Sequence, residues 1–202
     1  MTKKDIKTFF KAIANSDINK VSERINSDKE YLTVCNVAPP KKDDGQSGLQ
    51  VAFKTGNFTI AKLLIEQGAD INFKETSEIN EWTAPVLHDS IRATIFNSYT
   101  VQKDTSQFDK AFSLLQLMLD KGANPNSIDS YGNNCLHRAI MDARQMIDNP
   151  SAELTNGILL QQLRKIFKKL ITTGADINLT NEKRPSAESM IKNFRLEQHQ
   201  LL

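Results

Sequence analysis

Three histidines and two cysteines are the side chains of this sequence best placed by type for acid–base, nucleophilic or metal chemistry. His88 and His137, with nearby carboxylates and a metal, would make the site of a metal-using enzyme; His199 lies near the end of the chain. Cys35 and Cys135 stand a hundred positions apart with no second cysteine beside either. Neither the paired spacing of a zinc site nor a disulfide framework is present, and two small, reduced, buried thiols are expected. No Gly-rich phosphate loop, His-Glu-x-x-His or Gly-x-Ser-x-Gly motif occurs. The expectation is a chain without catalytic residues, metal or cofactor.

Four cations cluster in a helix expected over 158–172, where Arg164, Lys165, Lys168 and Lys169 oppose a stripe of Leu159, Leu160, Leu163, Ile166, Phe167 and Leu170. The stripe is core. The cations are a solvated outer face or, alternatively, a patch for an anion, a nucleic acid or an acidic partner. Net charge is only +2, which argues against a protein that coats nucleic acid. Charge is nevertheless uneven: residues 1–75 hold 12 basic and 10 acidic side chains, 76–157 hold 6 and 10, and 158–202 hold 8 and 4.

The elements that carry these residues belong to an ordinary soluble composition: 202 residues, 39% hydrophobic and 25% charged. That length can bury a core without a staple. No stretch approaches the roughly 20 apolar residues that span a bilayer. Asp5, Lys7 and Lys11 interrupt the apolar core a secretory leader would need, so a cytoplasmic protein is expected.

One segment recurs three times in register: Ile60 to Asn72, Leu114 to Asn126 and Ile166 to Asn178. Each is an apolar-faced helix closed by a glycine (Gly68, Gly122, Gly174) and followed by a polar extended stretch. A second, shorter helix signal precedes each copy, at Gly45 to Ala52, Leu87 to Ser90 and Gly132 to Ala139. This helix–turn–helix–hairpin unit resembles the ankyrin repeat, with its Thr-Pro-Leu-His start and Gly-Ala-Asp helix end. The match is best over 43–74, and a weaker first unit runs from Phe9 to Ile25 with Ser16 in a glycine's place. The resemblance implies an all-α fold, an ankyrin-type solenoid of about five units in a single domain: an N-terminal cap (1–36), repeats at 42–74, 80–126 and 129–178, and a C-terminal cap (181–202). It also gives His88 and His137 a structural role, bonding the turn backbone.

The Thr-Pro-Leu-His start reads Ser47, Gly48, Leu49, Gln50 in the second unit and Asn134, Cys135, Leu136, His137 in the fourth; in the third, Pro85 comes one place early. These changes are expected to weaken hydrogen bonds and the helix start. The glycine-to-glycine spacings, 54 and 52 residues, exceed the family's 33. The extra length is expected between the paired helices, at 94–107 and 143–157, as longer first helices ending in ordered loops that either support each other or form a binding edge.

Ankyrin-like proteins bind protein partners along hairpin tips and exposed first-helix positions. Carried over, the tips are Asp43, Asp44 and Gln46, then Glu81, Trp82 and Ala84, then Ser130, Tyr131 and Asn133; the helix positions include Lys54, Arg92, Met141 and Asp142. The only Trp and one of three Tyr thus fall at equivalent tips, the residue types most enriched in binding hot spots. The expected function is a non-enzymatic module that binds a folded protein, acting as a monomer, in a narrower version as an inhibitor or an immunity protein.

Overall fold

Short polar residues and glycines punctuate the chain, and between them the described residues form nine α-helices: α1 (Lys3–Ala14), α2 (Ile18–Ser27), α3 (Gly48–Lys54), α4 (Phe58–Glu66), α5 (Val86–Phe96), α6 (Ser106–Asp120), α7 (Cys135–Ile147), α8 (Ile158–Thr172) and α9 (Ala187–Asn193). The structure is a computed structural model that describes residues 1–37, 43–77, 79–100, 103–155 and 157–202. Lys42, the expected start of the second repeat, lies outside them, as do 101, 102 and 156 within the expected insertions. No strand occurs among the described residues; isolated bridges at Cys35–Ser47, Lys74–Pro85 and Asn181–Arg184 pinch hairpins shut. The fold is all-helical and of the ankyrin type.

Helix starts follow from capping chemistry. Thr2 with Asp5, Ser47 with Gln50, and Asn134 with His137 form reciprocal capping boxes at α1, α3 and α7, while Asp17 and Ser186 cap α2 and α9. Helix ends follow from one repeated device. Gly68, Gly122 and Gly174 sit at φ +94°, +92° and +98°, and the next residue's N–H donates back to the helix, Ala69 to Leu64 O, Ala123 to Met118 O and Ala175 to Leu170 O. Ser16 takes this left-handed place after α1 at φ +60°.

Two compact units emerge, Met1–Asp89 and Ser90–Leu202, the division falling inside α5. In the first unit α1 packs on α2 and α3, and α2 on α4. Its core of Phe9, Ile13, Ile25, Leu49, Ile60 and Leu64 is fully buried, with Phe9 against Phe10 and Tyr31 at 5.6 and 4.9 Å. In the second unit α7 packs on α8 and α9, and α6 on α8, around Phe108, Leu115, Leu136, Ile140, Leu163, Phe167 and Leu170. Each such side chain contributes about 1.5–3 kcal/mol relative to exposure. Cys135 is buried in this core, where desolvation raises its thiol pKa far above the usual range; Cys35 is half-buried, and the two are free.

The extra residues of the long repeats go into both helices of each pair. First helices lengthen from 7 residues in α3 to 11 and 13 in α5 and α7, as expected; second helices lengthen from 9 in α4 to 15 in α6 and α8. Within the second unit the added lengths meet: Gln162 Oε1 accepts from Tyr99 N at 2.6 Å, Lys103 pairs with Glu153 at 3.4 Å, and Lys165 lies over the Phe112 ring at 4.5 Å.

Candidate functional site

Between helix pairs the backbone turns through hairpins, and each unit fastens neighbouring hairpins to one another. In the first unit, Asn36 N donates to Gln46 O and Glu75 N to Ala84 O, closing two long loops. These loops touch: Thr76 N donates to Gly45 O, Gln46 Nε2 to Glu75 Oε1 at 2.7 Å, and Ser77 Oγ to Asp44 Oδ2 at 2.9 Å. The approach requires Gly45, at φ +76°, because a Cβ there would lie 2.2 Å from Ser77 N. Glu75 is buried and also accepts from Ala84 N; desolvation pushes its carboxyl above the ordinary value, opposed by those hydrogen bonds.

The second unit repeats the arrangement with shorter loops. Buried Asp129 accepts from the N–H groups of Tyr131 and Asn133 and from the Asn133 side chain, fixing a tight turn. Asn181 Nδ2 donates to Gly132 O and Lys183 Nζ to Ser130 O.

A second seam joins first helices to the next hairpin. His137 Nδ1 accepts from Asn134 N at 3.2 Å, so Nε2 carries the proton and donates to Pro185 O at 2.7 Å. Desolvation lowers the His137 pKa below the usual imidazole value. At the matching place Gln50 does the same work without an imidazole: Oε1 accepts from Ser47 N, and Nε2 donates to Ala84 O and, at 2.9 Å, to buried Asp89. Gln50 makes both kinds of bond, its contact with Ala84 O, at 3.3 Å, being longer than that of His137 with Pro185 O, and the second hydrogen of its amide serves Asp89.

Of the expected tip residues, Tyr131 is 45% exposed, Glu81 is exposed, and Trp82, Asp43 and Asp44 are half-buried. Gln46 and Asn133 are buried, their side chains turned into the hairpin supports. Lys54 pairs with Asp43 at 3.3 Å. Ile79, which the sequence reading passed over, is 54% exposed on the loop that carries Trp82, where Ser77 Oγ accepts from the Ile79 and Asn80 N–H groups.

On the first-helix face of the second unit, Asp142 is fully buried and held by Arg138 at 2.5 and 3.0 Å, with Arg92 Nε at 3.9 Å. Desolvation raises its pKa, against the pull of both guanidinium groups. Met141 is half-buried and lines a groove of about 440 Å³ with Arg138, Arg144, Gln145, Asp148 and Phe194. Sequence reasoning missed Arg144 and Phe194, whose 4.5 Å stacking joins residues 50 positions apart. Of the basic residues on α8, Arg164 donates to His199 O, Lys165 stacks on Phe112 and Lys169 meets Asp120 at 2.5 Å; Lys168 is exposed. No group of three or more His, Cys, Asp or Glu among the described residues could hold a metal. No helix among them is long and apolar enough to cross a membrane.

The ankyrin repeat family model matches residues 44–75, the stretch whose two hairpins and helix pair are described above. Over 165 residues the chain is 30% identical to the ankyrin repeat protein FPV031 of Fowlpox virus (strain NVSL), an alignment covering 73% of this chain and 42% of that protein. The chain thus matches less than half the length of that relative.

Proposed function

The chain is an ankyrin-repeat protein, and from that premise we propose that it is a non-enzymatic module that binds a folded protein through its hairpin tips and first-helix faces. Ankyrin repeats serve in general as protein–protein interaction modules. The observation that carries the reading here is a division of labour within the hairpins. Buried polar residues, Glu75 and Gln46 in one unit and Asp129 and Asn133 in the other, hold the loops from beneath, while Ile79 and Tyr131 stand exposed at their tips. A prefixed loop loses little entropy when a partner docks, and large side chains on it supply contact area.

Trp82 in the first unit and Tyr131 in the second are the proposed anchors, each on the hairpin of its own unit, supported by Asp43, Asp44, Glu81 and Lys54 in the first and by Arg92 and Met141 in the second. The narrower reading is that docking blocks the partner, as an inhibitor or immunity protein would. A monomer in the cytoplasm completes the proposal; two free cysteines agree with a reducing compartment.

The test is affinity capture from source lysate with mass spectrometry, comparing wild type with the Trp82→Ala, Tyr131→Ala double variant. A partner held by wild type and lost by the variant supports tip recognition. Equal retention moves the surface elsewhere, and no retained protein removes the binding reading.

A further inference from the structure

We propose that the α7 face of the second unit is built to take an acidic segment of the protein partner, a stretch of chain with an apolar side chain set between carboxylates. The inference rests on the protein-binding reading above and names the chemistry of one of its surfaces.

The groove beside α7, about 440 Å³, has the volume of a small-ligand pocket. Met141 and the Phe194 ring give it apolar walls, and Arg138 and Arg144 give it cationic edges. Both guanidinium groups are held in place before anything binds. Arg138 is clamped through two nitrogens by fully buried Asp142, and Arg144 lies over Phe194 at 4.5 Å. Arg92 shares the same buried carboxylate and lies over the Phe96 ring at 5.7 Å. Two cations therefore share one buried anion, leaving positive charge beside the groove. Planar, pre-oriented guanidinium groups suit bidentate carboxylates.

The remaining anion is Asp148, whose exposed side chain pairs with Arg144 at 3.2 Å. An exposed pair of this kind is weak, so an incoming carboxylate can replace Asp148 on Arg144. The apolar walls of Met141 and Phe194 call for an apolar side chain set between the carboxylates, which a protein segment supplies and a polyphosphate backbone does not, and this selects a protein segment over nucleic acid as the occupant.

The experiment pans a phage-displayed random peptide library on the intact chain, then titrates a labelled selected peptide against variants. The expected result is enrichment of Asp and Glu around an apolar residue. Binding should weaken about tenfold in Arg144→Gln, as for loss of a close charge pair, and tighten roughly threefold in Asp148→Asn, where one screened competitor is removed. Met141→Ala, read in parallel, should weaken binding through the apolar wall, and circular dichroism verifies that each variant is folded. A selection without acidic residues, or without binders, overturns the proposal. So does undiminished binding by Arg144→Gln, or tighter binding of polyuridylate than of the peptide. A lysate partner that Arg144→Gln retains in full, and that the Trp82→Ala, Tyr131→Ala variant loses, overturns the acidic groove and leaves the binding module standing.

Discussion

His137 and Gln50 occupy matching positions and make the same two kinds of hydrogen bond, yet only one of them titrates. Burial lowers the His137 pKa, so the unfolded chain takes up the proton first. Its contribution is complete above the unfolded value of 6.5 and is lost as pH falls from there through the folded value. His137→Gln should keep the bonds to Asn134 and Pro185, as Gln50 does, and remove that acid sensitivity. The check is the urea midpoint at pH 7.5 and 5.5, where the variant should lose less stability than wild type. Glu75 and Asp142 work in the opposite sense. Their raised values mean that stability falls as pH rises from the ordinary carboxylate range through the folded values, and subtracting the His137→Gln profile isolates the imidazole. Glu75→Gln should cost about 1–3 kcal/mol by denaturant titration, because the new amide turns a donor toward Gln46 Nε2 or Ala84 N in a buried place.

The hairpins are the elements on which recognition depends, and their geometry is more demanding than the helices'. Gly45→Ala should be far worse than Gly56→Ala. Both glycines have positive φ, but a Cβ at Gly56 meets nothing within 4 Å, whereas at Gly45 it strikes the Ser77 backbone. Gly56→Ala should cost about 1 kcal/mol from backbone conformation alone, and Gly45→Ala distinctly more, with loosened exchange protection at Thr76 as its signature. The repeats and their helix-closing glycines were legible in sequence, because local propensity and tertiary placement agree there; the capping boxes at Ser47 and Asn134 were not, since both starts were read as departures from Thr-Pro-Leu-His that weaken the helix start. The lengthened α6 was not foreseen, since the sequence reading assigned the added turns to the first helices. Glu75 and Asp129 escaped notice because a loop carboxylate looks like solvent until its donors, which come from the far side of the turn or from a neighbouring hairpin, are folded around it. The Arg144–Phe194 pair was invisible for the same reason: no local pattern joins positions so far apart.

At the scale of the molecule, stability comes from apolar burial and hydrogen-bond seams inside each unit. Excess chelator should therefore leave the melting temperature of the purified chain unchanged, and a drop on chelation would contradict that account. The basic residues of α8 bear on the same question. With Lys165 on Phe112 and Lys169 on Asp120, Lys165→Ala should reduce the melting temperature modestly, whereas exposed Lys168→Ala should leave it within error. The chain matches 42% of the length of its fowlpox relative, and where the proposed partner docks on it is open to direct measurement. The two cysteines give a practical entry to that question. Cys135 is sealed in the second unit's core with its thiol held protonated, while Cys35 stands half-buried where Thr76 Oγ1 reaches its sulfur at 3.6 Å, beside the paired hairpins of the first unit. The native sequence therefore supplies a single-position handle: a maleimide fluorophore should attach at Cys35 alone, and its emission would report a partner settling on those loops without any engineered residue.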